Sequence, residues 1–179
     1  MSRIGRELQL TLQAAHNEAV ARRHGYLTVE HLLYALLFSE QGIDILRHSG
    51  ANVEALINDL ERFFREDLDR VPGDEPVEVL QTLAFHRVVE HAISHAESAE
   101  KEEVEVADLL VSLFQEPEAY AMTLLRGQDV SRLDLMRYIA HGEAKVSNPS
   151  QSSGLAGAGA AIEEGEGPPA DPLEAFASN

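Results

Sequence analysis

The sequence predicts an all-α fold: two tandem, pseudo-symmetric four-helix repeats followed by a disordered linker. Three observations carry that reading. From Leu27 to Leu37, the residues Val29, Leu32, Leu33, Leu36 and Leu37 fall at i, i+3, i+4, i+7 and i+8, one apolar helical stripe. The spacing returns 77 residues later in Val106, Leu109, Leu110, Leu113 and Phe114. The same offset maps Leu8 onto Phe85, Leu12 onto Val89, Ala15 onto Ala92, Ala19 onto Ala96, Asn52-Val53 onto Asp129-Val130 and Leu56 onto Leu133. Only Ile45-Leu46-Arg47 departs, matching Leu124-Leu125-Arg126 at 79, which implies a two-residue indel in each flanking connection. A register held across three segments indicates an internal duplication.

Repeat one is expected over about 3–66. Its first helix runs from Arg3 to about His24, with Leu8, Leu12, Ala15 and Ala19 along one side and Leu10 and Ala14 widening the stripe. Arg22, Arg23 and His24 put positive charge in the last turn, and Gly25 ends it. Thr28 caps the central helix, which reaches about Phe38, and Glu30 sets a carboxylate in its first turn. A third helix covers about Glu40 to His48, ended by Gly50. Asn52 caps a fourth that turns Val53, Leu56, Ile57, Leu60, Phe63 and Phe64 inward.

Pro72, Gly73, Asp74 and Pro76 interrupt the periodicity, so 67–81 reads as the connector. Repeat two then occupies about 82–142. A fifth helix runs from near Thr82 to Ala99, with Leu83, Phe85, Val88, Val89, Ala92, Ile93 and Ala96 apolar, and Glu100–Glu103 forms a charged turn. The sixth helix spans about Val106 to Phe114. Pro117 suits the first turn of a seventh that stops near Gly127, and the eighth runs from about Ser131 to Ala140. Residues 143–179 are rich in Gly, Ser, Pro and Ala, and bury too little surface to offset ordering entropy.

Composition narrows the function. The formal charge is −17, and 143–179 holds six acids against Lys145, leaving a net charge of −12 on the helical body. Such a field opposes phosphate backbones and argues against nucleic-acid binding; it suits a partner with a basic patch. The absence of cysteine excludes a disulfide framework, thiolate zinc sites and cysteine nucleophiles, and agrees with a cytoplasmic location. No apolar run approaches the ~18 residues of a membrane helix, and no signal-peptide h-region opens the chain.

The motif Thr28-Val29-Glu30-His31-Leu32-Leu33-x-Ala35-Leu36-Leu37, set in a duplicated four-helix unit, resembles the N-terminal domain of the Clp/Hsp100 unfoldases. Glu7-Leu8-Gln9-Leu10-Thr11-Leu12, Val130-Ser131-Arg132-Leu133-Asp134 and Ile139-Ala140-His141-Gly142 resemble the ClpA branch, and Leu173-Glu174-Ala175-Phe176 resembles the chain entering its first ATPase module. The resemblance implies the docking domain of a hexameric AAA+ unfoldase that feeds the ClpP peptidase and receives N-degron substrates through the ClpS adaptor. ATP and Mg, hexamer assembly and ClpP contact would belong to AAA+ modules absent from these residues. No Gly-x-x-x-x-Gly-Lys-[Ser/Thr] occurs, so no cofactor is expected in this chain. The 1–142 domain is expected to be monomeric and the sequence to belong to a longer protein.

In domains of this type the adaptor surface includes the positions that here are Glu30, Thr82 and Arg132, with His24 as a further contact. Each also has an ordinary reading: Glu30 complements a helix dipole for ~0.3–1 kcal/mol, Thr82 is an N-cap, and Arg132 is a solvated charge. His31 is expected on a helix surface or in a buried hydrogen bond, since its counterpart is Asp108. His91 and His95 share a helix face at i, i+4, but the His-Glu-x-x-His order is missing and no third ligand is fixed. Two alternatives follow: a free-standing protein of this fold competing for adaptor or peptide, and a metal-dependent hydrolase using His91 and His95. A groove between the halves that captures peptide directly is also consistent with the resemblance. No catalytic constellation is present.

Overall fold

Short parallel strands, which helical periodicity does not reveal, tie the two repeats together. The structure, a computed structural model, describes residues 2–145. Repeat one consists of β1 (Arg3–Ile4), α1 (Arg6–Ala21), β2 (Tyr26–Leu27), α2 (Val29–Leu36), α3 (Glu40–His48) and α4 (Val53–Glu66). Repeat two consists of β3 (Leu80–Gln81), α5 (Leu83–Ser98), β4 (Glu103–Val104), α6 (Val106–Ser112), α7 (Tyr120–Gly127) and α8 (Arg132–His141). A 3₁₀ turn at Leu113–Gln115 continues α6. The expected helices are present with small changes at their ends. Arg3 and Ile4 are extended rather than helical, and Pro117 lies in a turn ahead of α7 instead of in its first turn.

The strands are exchanged. β1 pairs in parallel with β4, Arg3 opposite Glu103 and Ile4 opposite Val104; β2 pairs in parallel with β3, Tyr26 opposite Leu80 and Leu27 opposite Gln81. A shift of 77 residues carries β1 onto β3 and β2 onto β4. Each repeat therefore supplies the partner for the other's strand, and backbone groups that a two-residue strand leaves open are satisfied across the junction.

The core runs through both repeats. All eight residues of α2 are buried, and Leu32, Leu33 and Leu36 are joined by Leu109, Leu110 and Leu113 with no exposed surface. α2 packs on α1 within its repeat and on α5 and α7 of the other. α3 lies close against the end of α2, and a Cβ at Gly42 would stand 2.2 Å from the Leu36 carbonyl oxygen, so only glycine fits there.

Left-handed residues mark the duplication. Arg23 and Glu100 both have φ of 57°, 77 residues apart; Gly50 and Asp129 have φ of 102° and 59°, 79 apart. The N-caps Asn52 and Ser131, and the buried Leu56 and Leu135, also differ by 79. The expected return to an offset of 77 in the last helix is thus corrected. The two-residue insertion ahead of α7 is never recovered, and Leu133 faces outward at 57% exposure. Leu10 and Ala14 likewise do not widen the buried stripe of α1; both are exposed.

The connector lacks helix, as expected, but it is fastened. The Arg23 side chain donates to the carbonyls of Val71 (2.9 Å), Glu75 (2.9 Å) and Pro72 (3.3 Å). At the other end, the Lys145 backbone N–H donates to the His48 carbonyl at 2.7 Å, and its Nζ reaches Asp134 at 3.0 Å and the Asp129 carbonyl. The folded part therefore extends to Lys145, three residues beyond the expected boundary. The rest of the expected linker, 146–179, lies outside the described residues.

Candidate functional site

Glu30 is placed by the Thr28 cap in the first turn of α2, but its carboxylate turns into the repeat junction. It is 8% exposed, and Oε2 accepts a hydrogen bond from the Ala121 backbone N–H at 2.9 Å. That amide belongs to the first turn of α7, whose own N-cap, Ala119, has no side chain to offer. Glu30 thus caps a helix of the other repeat. Its carboxylate is therefore engaged within the domain rather than open at the surface.

His24 is also buried, at 2% exposure. Its Nδ1 lies 2.9 Å from His31 Nε2, and His31 Nδ1 accepts the Thr28 backbone N–H at 3.0 Å. That acceptor role leaves the proton of a neutral His31 on Nε2, which donates to His24. His31 stacks on Phe64 with centroids 4.8 Å apart and planes within 10°. Burial, then the neighbouring His24 and Arg22, pulls the His31 pKa down to about 3, and burial lowers that of His24. His24 is a structural residue of a neutral pair rather than a surface contact.

Thr82 and Arg132 stand differently. Thr82 caps α5, accepting from the Phe85 N–H at 3.1 Å, while its own N–H donates to the Leu27 carbonyl. Around it Tyr26, Leu80 and Leu83 are 58%, 54% and 76% exposed, with Tyr26 and Leu80 paired in register. An apolar patch therefore surrounds a half-buried cap. Arg132 is exposed at the start of α8 and, among the described residues, forms no ion pair. It borders a pocket of about 470 Å3 with Phe114, Pro117, Met122 and Arg126. The structure therefore leaves two of the four expected contacts at the surface and turns the other two inward.

His91 and His95 do not converge on a shared point. His91 Nδ1 is 3.0 Å from Ser112 Oγ, and His95 Nδ1 is 2.8 Å from Asp108 Oδ1. Among the described residues no group of three or more His, Asp and Glu side chains is gathered as a metal site requires. Among the described residues no helix is long and apolar enough to cross a membrane. The apolar patch around Thr82 escaped the sequence reading, because Leu83 sits on a helix start where periodicity counts it as core. Its position directly after a cap was the available signal.

The fold is that of the Clp/Hsp100 N-domains. Residues 3–128 match the Clp repeat (R) N-terminal domain family, and the chain belongs to that family. It is 36% identical over 152 residues to a ClpA homolog protein of Fuscovulum blasticum, covering 84% of this chain. The chain spans 19% of that relative's length. The fold is similar to the Hsp104 N-terminal domain of Candida albicans, with a TM-score of 0.64 at 11% identity over 80% of this chain and 95% of that one. It is also similar to a ClpV N-domain solved with a VipB peptide, with a TM-score of 0.60 at 16% identity over 78% and 86%. The matched family is that of the N-terminal repeat domain, and the match covers no ATPase module.

Proposed function

We propose that this chain is the adaptor- and substrate-docking domain of a ClpA-type unfoldase that delivers proteins to the ClpP peptidase in the cytoplasm, with a ClpS-type protein as the adaptor. The observation that supports it is the exposed patch of Tyr26, Leu80 and Leu83 around Thr82, on a domain 36% identical to a ClpA homolog. Large exposed apolar groups clustered on an otherwise acidic domain are characteristic of protein-binding surfaces. Thr82 and Arg132 make the direct contacts; Glu30 and His24 act from beneath, by holding α7 and the β2 corner in place. Assembly and ATP hydrolysis belong to AAA+ modules outside this sequence.

Calorimetric titration of the chain with a ClpS-type adaptor tests the proposal. Leu83→Asp and Arg132→Glu each weaken binding by about tenfold or more if the surface is right. Unchanged affinity in both variants moves the site; no binding by the unsubstituted chain rejects the adaptor. A second reading, direct capture of peptide, is favoured by the likeness to the ClpV N-domain, whose structure holds a VipB peptide. That outcome would appear as peptide binding without adaptor binding.

A further inference from the structure

A groove of about 640 Å3 opens between α1 and the corner joining α2 to α3, and it shares no residue with the Thr82 and Arg132 surfaces. Leu10 and Ala14, one turn apart on α1, form one wall, and Phe38 forms the other. Leu10 is 58% and Phe38 59% exposed, among the larger apolar side chains left open to water. Stripe residues are normally buried by folding; these are not.

The duplication supplies an internal control. Shifting by 77 residues carries Leu10 onto Arg87 and Ser39 onto Glu116. In repeat two those positions are joined by a bidentate ion pair, Arg87 Nε and a terminal nitrogen donating to the two Glu116 oxygens at 2.8 and 2.7 Å. The same place in the fold is thus spanned by charge in one repeat and left apolar and open in the other. Packing of the repeat does not demand an exposed leucine and phenylalanine, since the second repeat does without them.

The rim specifies the occupant. Glu7 is fixed as an anion by donors from Ser39 Oγ (2.6 Å) and the Gln41 N–H (3.0 Å), which hold its pKa below the usual value. Glu40 and Glu103 add two further carboxylates, Glu103 being paired with Arg3 at 3.1 Å and Glu40 left to the rim, and Arg6 is the basic lining residue. One wall is the α1 helix and the other is the turn joining α2 to α3, an open apolar trough whose lining holds three carboxylates against Arg6. We infer that this groove docks a basic amphipathic helix of a partner protein, its apolar stripe lying on Leu10, Ala14 and Phe38 and its lysines or arginines facing Glu7, Glu40 and Glu103. The inference is independent of the adaptor reading, and either can fail alone.

The test uses the full chain and a synthetic helical peptide of about sixteen residues, with leucines at i, i+3, i+4 and i+7 and lysines elsewhere. Fluorescence anisotropy is read against a scrambled peptide of equal charge and a glutamate-for-lysine version. Leu10→Asp and Phe38→Ala should each weaken binding about tenfold, and Glu40→Lys about threefold with a shallower salt dependence, whereas Leu83→Asp should change it less than about twofold. Circular dichroism verifies each fold; because both anchors are exposed, Phe38→Ala remains informative if Leu10→Asp loosens α1. Equal binding of the scrambled or acidic peptide overturns the inference. So does insensitivity to both anchor variants. Sedimentation of the unsubstituted chain that shows a dimer abolished by Leu10→Asp assigns the groove to a second copy and likewise overturns it.

Discussion

His31 and Asp108 perform the same task in the two repeats with different chemistry. Each is the third residue of its helix and reaches back to the N–H of the residue capping that helix: Thr28 N–H to His31 Nδ1 at 3.0 Å, and Glu105 N–H to Asp108 Oδ2 at 2.8 Å. The correspondence continues one position further. His24 and Lys101, again 77 residues apart, are their respective partners, His24 Nδ1 at 2.9 Å from His31 and Lys101 Nζ at 2.7 Å from Asp108. One repeat buries a neutral pair and the other an ion pair. Both leave the orphan amide of a helix start satisfied.

The neutral pair predicts a pH dependence. The His31 pKa is depressed in the fold, so below about pH 6.5 the unfolded chain binds a proton that the folded chain refuses. Stability is full above that pH and falls toward about pH 3, by up to about 1.4 kcal/mol per pH unit for this proton. Arg22 and Arg70 reinforce the depression at His24 and Glu18 opposes it. Urea unfolding between pH 7.5 and 5, where most carboxylates stay ionised, should show the slope. An NMR titration that finds His31 protonating near its ordinary pKa would contradict it.

Because the two pairs are structural equivalents, they should be exchangeable. His31→Asp alone leaves a buried carboxylate beside His24, whereas His24→Lys with His31→Asp recreates the pair of repeat two. The double-mutant cycle is expected to show favourable coupling of about 0.5–3 kcal/mol. Additive losses would mean that Phe64, stacked on His31, determines the site more than the pairing does.

Asp108 faces His95 as well as Lys101, and its side chain is 2% exposed. Asp108→Ala removes the carboxylate from both and uncaps α6. Lys101 keeps 30% of its surface in water, so the expected cost lies at the low end for a broken buried pair, about 3 kcal/mol. Chemical denaturation measures it.

Glu30→Ala removes the only side-chain cap on α7 among the described residues. The cost expected from cap deletions is about 1–2 kcal/mol. Hydrogen exchange should show the Ala121 amide losing protection before the rest of α7. Unchanged exchange there would leave Glu30 free for a direct partner contact.

The register in α8 can be checked by two neighbouring leucines. Leu135 has no exposed surface, so Leu135→Ala should cost about 2–5 kcal/mol, as should Leu33→Ala and Leu110→Ala in the central helices. Leu133→Ala should fall within about 0.5 kcal/mol. A reversal between Leu133 and Leu135 would restore the offset of 77.

Much of the fold was legible because helices announce themselves locally. The stripes of α2 and α6, the caps Thr28, Asn52 and Thr82, and the duplication were all readable from spacing. The α3 limits, Glu40 and His48, were readable too. Two-residue strands were not, since they have no period of their own and exist only where the other repeat supplies a partner.

The sequence by itself determined which residues form helices, that the unit is duplicated, and which family motif it carries, because these depend on side-chain order within one or two turns. The tertiary structure alone decided what each candidate side chain does. Glu30 and His24 are polar residues near helix ends, and nothing local distinguishes an exposed carboxylate from one that caps α7 across 91 residues of chain. Leu10 and Leu8 belong to the same helix and the same composition, yet one is open at the groove and the other is 2% exposed. The physical reason is that burial and hydrogen-bond partnership are fixed by long-range packing between repeats, whereas helical periodicity reports only the chain's own face.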